Sequence, residues 1–147
     1  METKTVTHEV FLNATPHDVF EAYLDEKQHA EFTGAPVKIE RKAGGRFTAY
    51  GEHLSGTTEE IEQDRRIVQA WRAQDWPAGH LSQLTLIFNP IHDGRGTQLS
   101  MVQTGVPAEK YESINSGWRT HYWTKLGEYL RAKESSTGAK KATQTGD

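Results

Sequence analysis

The chain has 147 residues, enough for one domain that buries most of the apolar surface its unfolded form exposes. Hydrophobic residues make up 35% and charged residues 25%, and 20 acidic against 17 basic side chains leave a formal charge of -3, which argues against a dedicated nucleic-acid binder. Cysteine is absent, which excludes disulfides, thiolate metal sites and cysteine nucleophiles.

The first twelve residues contain no apolar run of signal-peptide type. No stretch approaches the roughly 18 apolar residues of a membrane span. The expected location is the cytoplasm. Thr5 to Leu12 alternates as a strand would. Thr15-Pro16-His17-Asp18 then reads as a helix start: Thr15 caps, Pro16 suits the first position, and Asp18 favours the positive end. Val19, Phe20, Tyr23 and Leu24 form its buried stripe. Asp25 followed by Gln28 opens a second short helix that Gly34 ends.

From Pro36 the period becomes two. Strands are expected around Val37–Ile39, Phe47–Ala49, Gly56–Ile61, Ile67–Gln74, Leu81–Phe88 and Thr97–Thr104, with turns at Gly44-Gly45, Gly51-Glu52, Asn89-Pro90 and Asp93 to Gly96. Such short strands without intervening helices imply an antiparallel meander, and the class is α+β. After Pro107, the residues Tyr111, Ile114, Trp118, Tyr122, Leu126 and Tyr129 recur at helical spacing. Asn115-Ser116-Gly117 is expected to weaken that helix near its start. The domain is set at 1–132, and 133–147, poor in apolar residues, is expected to be a disordered tail.

A curved sheet around one helix leaves space between them that side chains either fill or leave to a ligand. Its candidate lining is Phe32, Phe47, Trp71, Trp76, His80, Trp118 and Tyr122. Aromatics of this size can close a small cavity by themselves, so a filled core and a ligand pocket both stand as readings. None of the seven histidines lies three to five residues from another on one element, so no local metal pair is expected, and surface or capping roles are assigned to them as a group. His80, after Trp76-Pro77-Ala78-Gly79, either fixes that connection or faces a ligand. Glu59, Glu60 and Glu62 have strand spacing but read as a solvated face. No nucleophile elbow, phosphate loop or dinucleotide fingerprint is present, and no catalytic residue, metal or cofactor is expected.

Six motifs occur in order: Phe32-Thr33-Gly34-Ala35-Pro36, Gly44-Gly45-Arg46-Phe47, Trp71 with Trp76-Pro77-Ala78-Gly79-His80, Leu84-Thr85-Leu86-Ile87-Phe88, Gly105-Val106-Pro107 and Gly117-Trp118-Arg119. The run from Val6 to Leu130 resembles the C-terminal domain of the activators of heat-shock protein 90 ATPase, a member of the START-like (SRPBCC) superfamily. The resemblance implies the helix-grip fold: about six or seven curved antiparallel strands around a long C-terminal helix, with two short helices after the first strand. It also implies a stand-alone, non-catalytic binding domain, monomeric or weakly dimeric, that modulates a chaperone of the heat-shock protein 90 class. An exposed patch around Trp76 to His80 and the Gly51 to Gly56 hairpin would serve that role. The alternatives are a carrier or sensor of a small apolar ligand in a sheet–helix cavity, and a START-like cyclase or hydrolase using His80 or a carboxylate.

Overall fold

In the computed structural model, residues 1–134 are described with their side chains and the backbone through Thr145; the tail expected over 133–147 falls almost wholly outside the fully described residues. Strand β1 (Thr3–Leu12) leads into α1 (Pro16–Leu24) and α2 (Glu26–Thr33). The caps are those the sequence implies. Thr15 accepts from the Asp18 amide, Asp25 accepts from the Gln28 amide, and Gly34 ends α2 with a left-handed φ of 72°.

Six strands follow: β2 (Lys38–Ile39), β3 (Gly45–Ala49), β4 (Leu54–Glu62), β5 (Arg66–Ala73), β6 (Ser82–Ile91) and β7 (Gly96–Pro107). They form one antiparallel sheet of order β1-β7-β6-β5-β4-β3-β2, in which the first strand closes on the last. Bulges between Lys4 and Val6 and between Thr58 and Glu60 add twist and bend. Gly56 pairs with Phe47 on one side and Trp71 on the other. A Cβ built there would run into the Ala70 carbonyl and the Phe47 ring, so the close approach of these strands requires glycine.

The expected turn at Asn89-Pro90 is instead part of β6, where Asn89 pairs with Gln98 and Pro90 with Thr97. The reason is positional. β5 pairs with β6 only as far as Ile87, and the Phe88 amide reaches Arg65 on that side. Two residues on, the nitrogen of Pro90 faces the side β5 has left, so its missing N–H costs no ladder bond.

A 3₁₀ turn (Ala108–Lys110) leads into α3 (Tyr111–Trp118), a π turn (Arg119–Trp123) and α4 (Thr124–Thr145). The break in the C-terminal helix therefore falls at 119–123 and not at Asn115-Ser116-Gly117, which are regular α-helix. The Thr124 amide reaches back five residues to the Arg119 carbonyl. On an α-helix, positions five apart point about 140° away from each other. Widening the turn brings Trp118 and Trp123 onto one side, with rings stacked 5.2 Å apart at 13°. The core lies between this helix and the concave sheet face, under α1 and α2.

Candidate functional site

The space beneath the helix is packed with rings. Trp118 lies 5.5 Å from Trp71 and 4.8 Å from Tyr122, Trp76 lies 5.4 Å from Trp71, and Phe32 lies 5.8 Å from Tyr122. Phe47, Trp71, Trp76, Trp118 and Tyr122 all belong to one buried cluster. Beneath the helix these rings pack against one another.

Three hydrogen-bonded relays cross this core, and each one anchors the C-terminal helix. In the first, His29 Nδ1 lies 2.7 Å from the Tyr23 carbonyl, which can only accept, so Nδ1 carries the proton. Nε2 then accepts from the Tyr122 hydroxyl at 2.9 Å, while the Tyr23 hydroxyl donates to Gln69, whose amide donates to Thr58. Burial pushes the His29 pKa down to about 4. In the second, the Trp118 indole donates to Gln103 Oε1 at 2.8 Å, Gln103 Nε2 donates to Ser82, and Ser82 donates to the Trp71 carbonyl. In the third, the Trp123 indole donates to His8 Nδ1, and His8 Nε2 donates to Asn115. His8 and His29 are buried structural groups and not surface or capping residues, a correction to the reading of the histidines as a group. The signal was partly present in the sequence: Gln69 shares strand parity with Ile67 and Trp71, as His8 does with Val6 and Val10. His29 had none.

His80 fixes its connection. Its Nε2 donates to the Gly105 carbonyl at 2.7 Å, and the Arg72 guanidinium donates to the carbonyls of Trp76, Pro77 and His80. Trp76 itself is buried, its indole N–H without a protein acceptor among the described residues, so the exposed parts of the expected patch are Ala78 and Gly79, next to exposed Leu81, and Glu52 and His53 in the Gly51 to Gly56 hairpin. Glu59, Glu60 and Glu62 are exposed, and Glu60 pairs with Arg66. His17, Glu21 and Asp64 bring ligand-type atoms within 4.8 Å of one another, but both Glu21 oxygens accept from Arg41. That guanidinium holds the Glu21 carboxyl at about 2, so the cluster is a neutralised surface network.

A half-open pocket of about 700 Å³ lies where the β3–β4 hairpin, the end of β5 and the π turn meet. Trp71, Trp118 and Tyr122, each only 2–3% exposed, border it, so three of the seven sequence candidates come together there; Phe32, Phe47, Trp76 and His80 do not line it. Tyr50, at φ 51°, forms one wall and donates to the His121 carbonyl of the π turn at 2.6 Å. His53, Asp75, Thr120 and His121 contribute to its polar rim. Lys110 pairs with the Asp75 carboxylate at 3.0 Å and lowers its pKa.

A seven-stranded antiparallel sheet gripping a C-terminal helix, with two short helices after the first strand, is the helix-grip fold of START-like proteins. The profile of one family within it, described as Activator of Hsp90 ATPase homolog 1-like protein, matches residues 13–131, and the chain belongs to that family. It is 31% identical over 82% of its length to the human activator of 90 kDa heat shock protein ATPase homolog 1, of which it covers 35%. It is 30% identical over 80% of its length to the Dictyostelium discoideum activator, of which it covers 30%. The chain thus spans about a third of the length of these curated relatives. The crystal structure of an HSP90 activator from Plasmodium falciparum superposes with a TM-score of 0.77 at 23% identity, covering 88% of this chain and 96% of that one. CalU16 from Micromonospora echinospora superposes at 0.75 with 22% identity, over 88% and 76%. These two likenesses speak to the fold. No helix among the described residues is long and apolar enough to cross a membrane.

Proposed function

We propose that this chain is a binding domain that modulates a chaperone of the heat-shock protein 90 class. The observation that carries this reading is the family match over 13–131, joined to the identity with activators of that ATPase. The disposition of polar groups supports a binding role: His80 and Arg72 brace a connection, and the buried histidines brace the helix. The surface offered to the chaperone is the braced connection from Ala78 to Leu81, where Leu81 is 51% exposed. Purified chain titrated into the chaperone from the same host should raise its ATP turnover, and Leu81→Asp should weaken the effect without lowering Tm. Unchanged turnover at saturating chain, together with no binding by calorimetry, would overturn the proposal.

A second role, holding a small ligand beside the helix, is favoured by one observation: the pocket at the π turn, which the filled interior leaves open to solvent.

A further inference from the structure

We infer that the outer face of strands β6, β7 and β1 docks into an apolar, nearly uncharged groove on the chaperone; this rests on the chaperone-binding role proposed above and extends the surface offered there. Side chains paired across neighbouring strands stand on one face of the sheet. Leu84, Leu86, Phe88, Leu99 and Met101 point into the core, so the residues between them point out. Thr85, Val102 and Thr7 form one outward row across the three strands, and Ile87, Ser100 and Glu9 form the next. Phe11, opposite Gln98, ends the third. Leu81, just before β6, has the parity of Thr85 and joins this face to the braced connection.

The composition of this face differs from that of the chain. Among the outward positions from Gln83 to Asn89, Gln98 to Thr104 and Thr7 to Phe11, Glu9 is the sole charge, in a sequence that is 25% charged. Depletion of charge, more than bulk hydrophobicity, marks the centre of a protein interface. Apolar exposure concentrates here as well. Of the large apolar side chains exposed among the described residues, all but Met1 stand on this face: Leu81, Val102 at 41% and Phe11 at 68%. On the β5 side the Arg66–Glu60 ion pair bounds it as a polar rim.

Shape and charge select the occupant. The sheet closes its concave side around the C-terminal helix, so this side is convex. Two copies of a convex face touch along a line, whereas a groove on a partner follows it, which favours the chaperone over a second copy of this chain. Glu9 has no cation within ion-pair distance among the described residues, so the complementary groove carries one lysine or arginine opposite it. Three strands wide and as long as the run from Leu81 to Asn89, the face measures about 15 by 27 Å, or roughly 400 Å². Counted on both partners, that is the size of a weak, transient complex.

The test is calorimetric titration of the full chain into the chaperone from the same host, with ATP turnover and Tm measured in parallel. The unaltered chain should bind with a Kd on the order of micromolar. Val102→Arg, at the centre of the face, should weaken binding by about tenfold or more and leave Tm unchanged, because its side chain points away from the core. Thr7→Arg on the neighbouring strand serves if that variant does not fold. Glu9→Lys should weaken binding and reduce its dependence on salt. Thr48→Arg, outward on β3 beyond the rim, should bind as the unaltered chain does. Should Leu81→Asp weaken binding while Val102→Arg and Glu9→Lys leave it unchanged, this face is not the docking surface although the chaperone role stands. Should Val102→Arg split a dimer seen by sedimentation and keep its affinity for the chaperone, the occupant is a second copy and the inference is wrong. Should the unaltered chain neither bind nor raise turnover, the chaperone role falls, and this surface with it.

Discussion

His29 is a neutral imidazole sealed between α1 and the C-terminal helix, donating to a carbonyl and accepting from Tyr122. Its folded pKa of about 4 lies below its ordinary 6.5, so across that interval the unfolded chain binds the extra proton. Stability is complete above about pH 6.5 and drains as pH falls towards 4, by about 3 kcal/mol. Urea midpoints measured across this window should show the decline, and His29→Gln should abolish it while costing about 1–3 kcal/mol at pH 7 through its unpaired neighbours. A slope that survives the substitution would remove His29 as its source. Below about pH 4.5, Glu21 adds a second decline, since Arg41 holds its carboxyl near 2. His17, raised by its bond to Asp64, works in the opposite sense, but it is largely exposed and adds little. The sequence displays seven histidines as equals; burial, which depends on residues 93 and 115 positions away, separates His29 and His8 from the rest.

The helix is tied to the sheet by a few polar bonds within a packed interface, so its elements respond very differently to small changes. Gln103→Met keeps volume but leaves the Trp118 indole N–H without its acceptor and breaks the link to Ser82. That should cost about 1–3 kcal/mol in chemical denaturation, against less than about 0.5 kcal/mol for Gln98→Met towards the outer face. Two glycines should respond with opposite signs. Gly56→Ala drives a methyl group into the Ala70 carbonyl and Phe47, and a loss of about 3 kcal/mol or more is expected. Gly117→Ala meets open space on a helix and should add up to about 1 kcal/mol. Equal effects in thermal melts would contradict the packing described for both sites. The helix caps and alternating strands were legible because they depend on neighbours in sequence. The π turn was not: it answers to the demand that Trp118 and Trp123 share a side, and that demand comes from Gln103 and His8 on other elements.

At the scale of the molecule, β1 pairs with β7 from Thr3↔Pro107 to Leu12↔Thr97, so the sheet cannot close until nearly all of the domain is in place. Folding should be a single cooperative event in the millisecond-to-second range typical of non-local β topologies. Unfolding followed by tryptophan fluorescence, which reports the core, and by far-ultraviolet circular dichroism should give coincident urea transitions. Separate midpoints would mean that the helices and the sheet are independent units.

Composition, period and turn chemistry by themselves determined the class, the order of elements and the two capped helices, because each is set by contacts within a few residues. The ordered motifs determined the family. Only the tertiary structure decided what the aromatics do. Phe47, Trp71, Trp76, Trp118 and Tyr122 are all buried in one cluster, and Trp71, Trp118 and Tyr122 also border the pocket. Which role each ring takes depends on where the hairpin at Tyr50, the end of β5 and the π turn leave space, and that space is a property of three distant segments packed together.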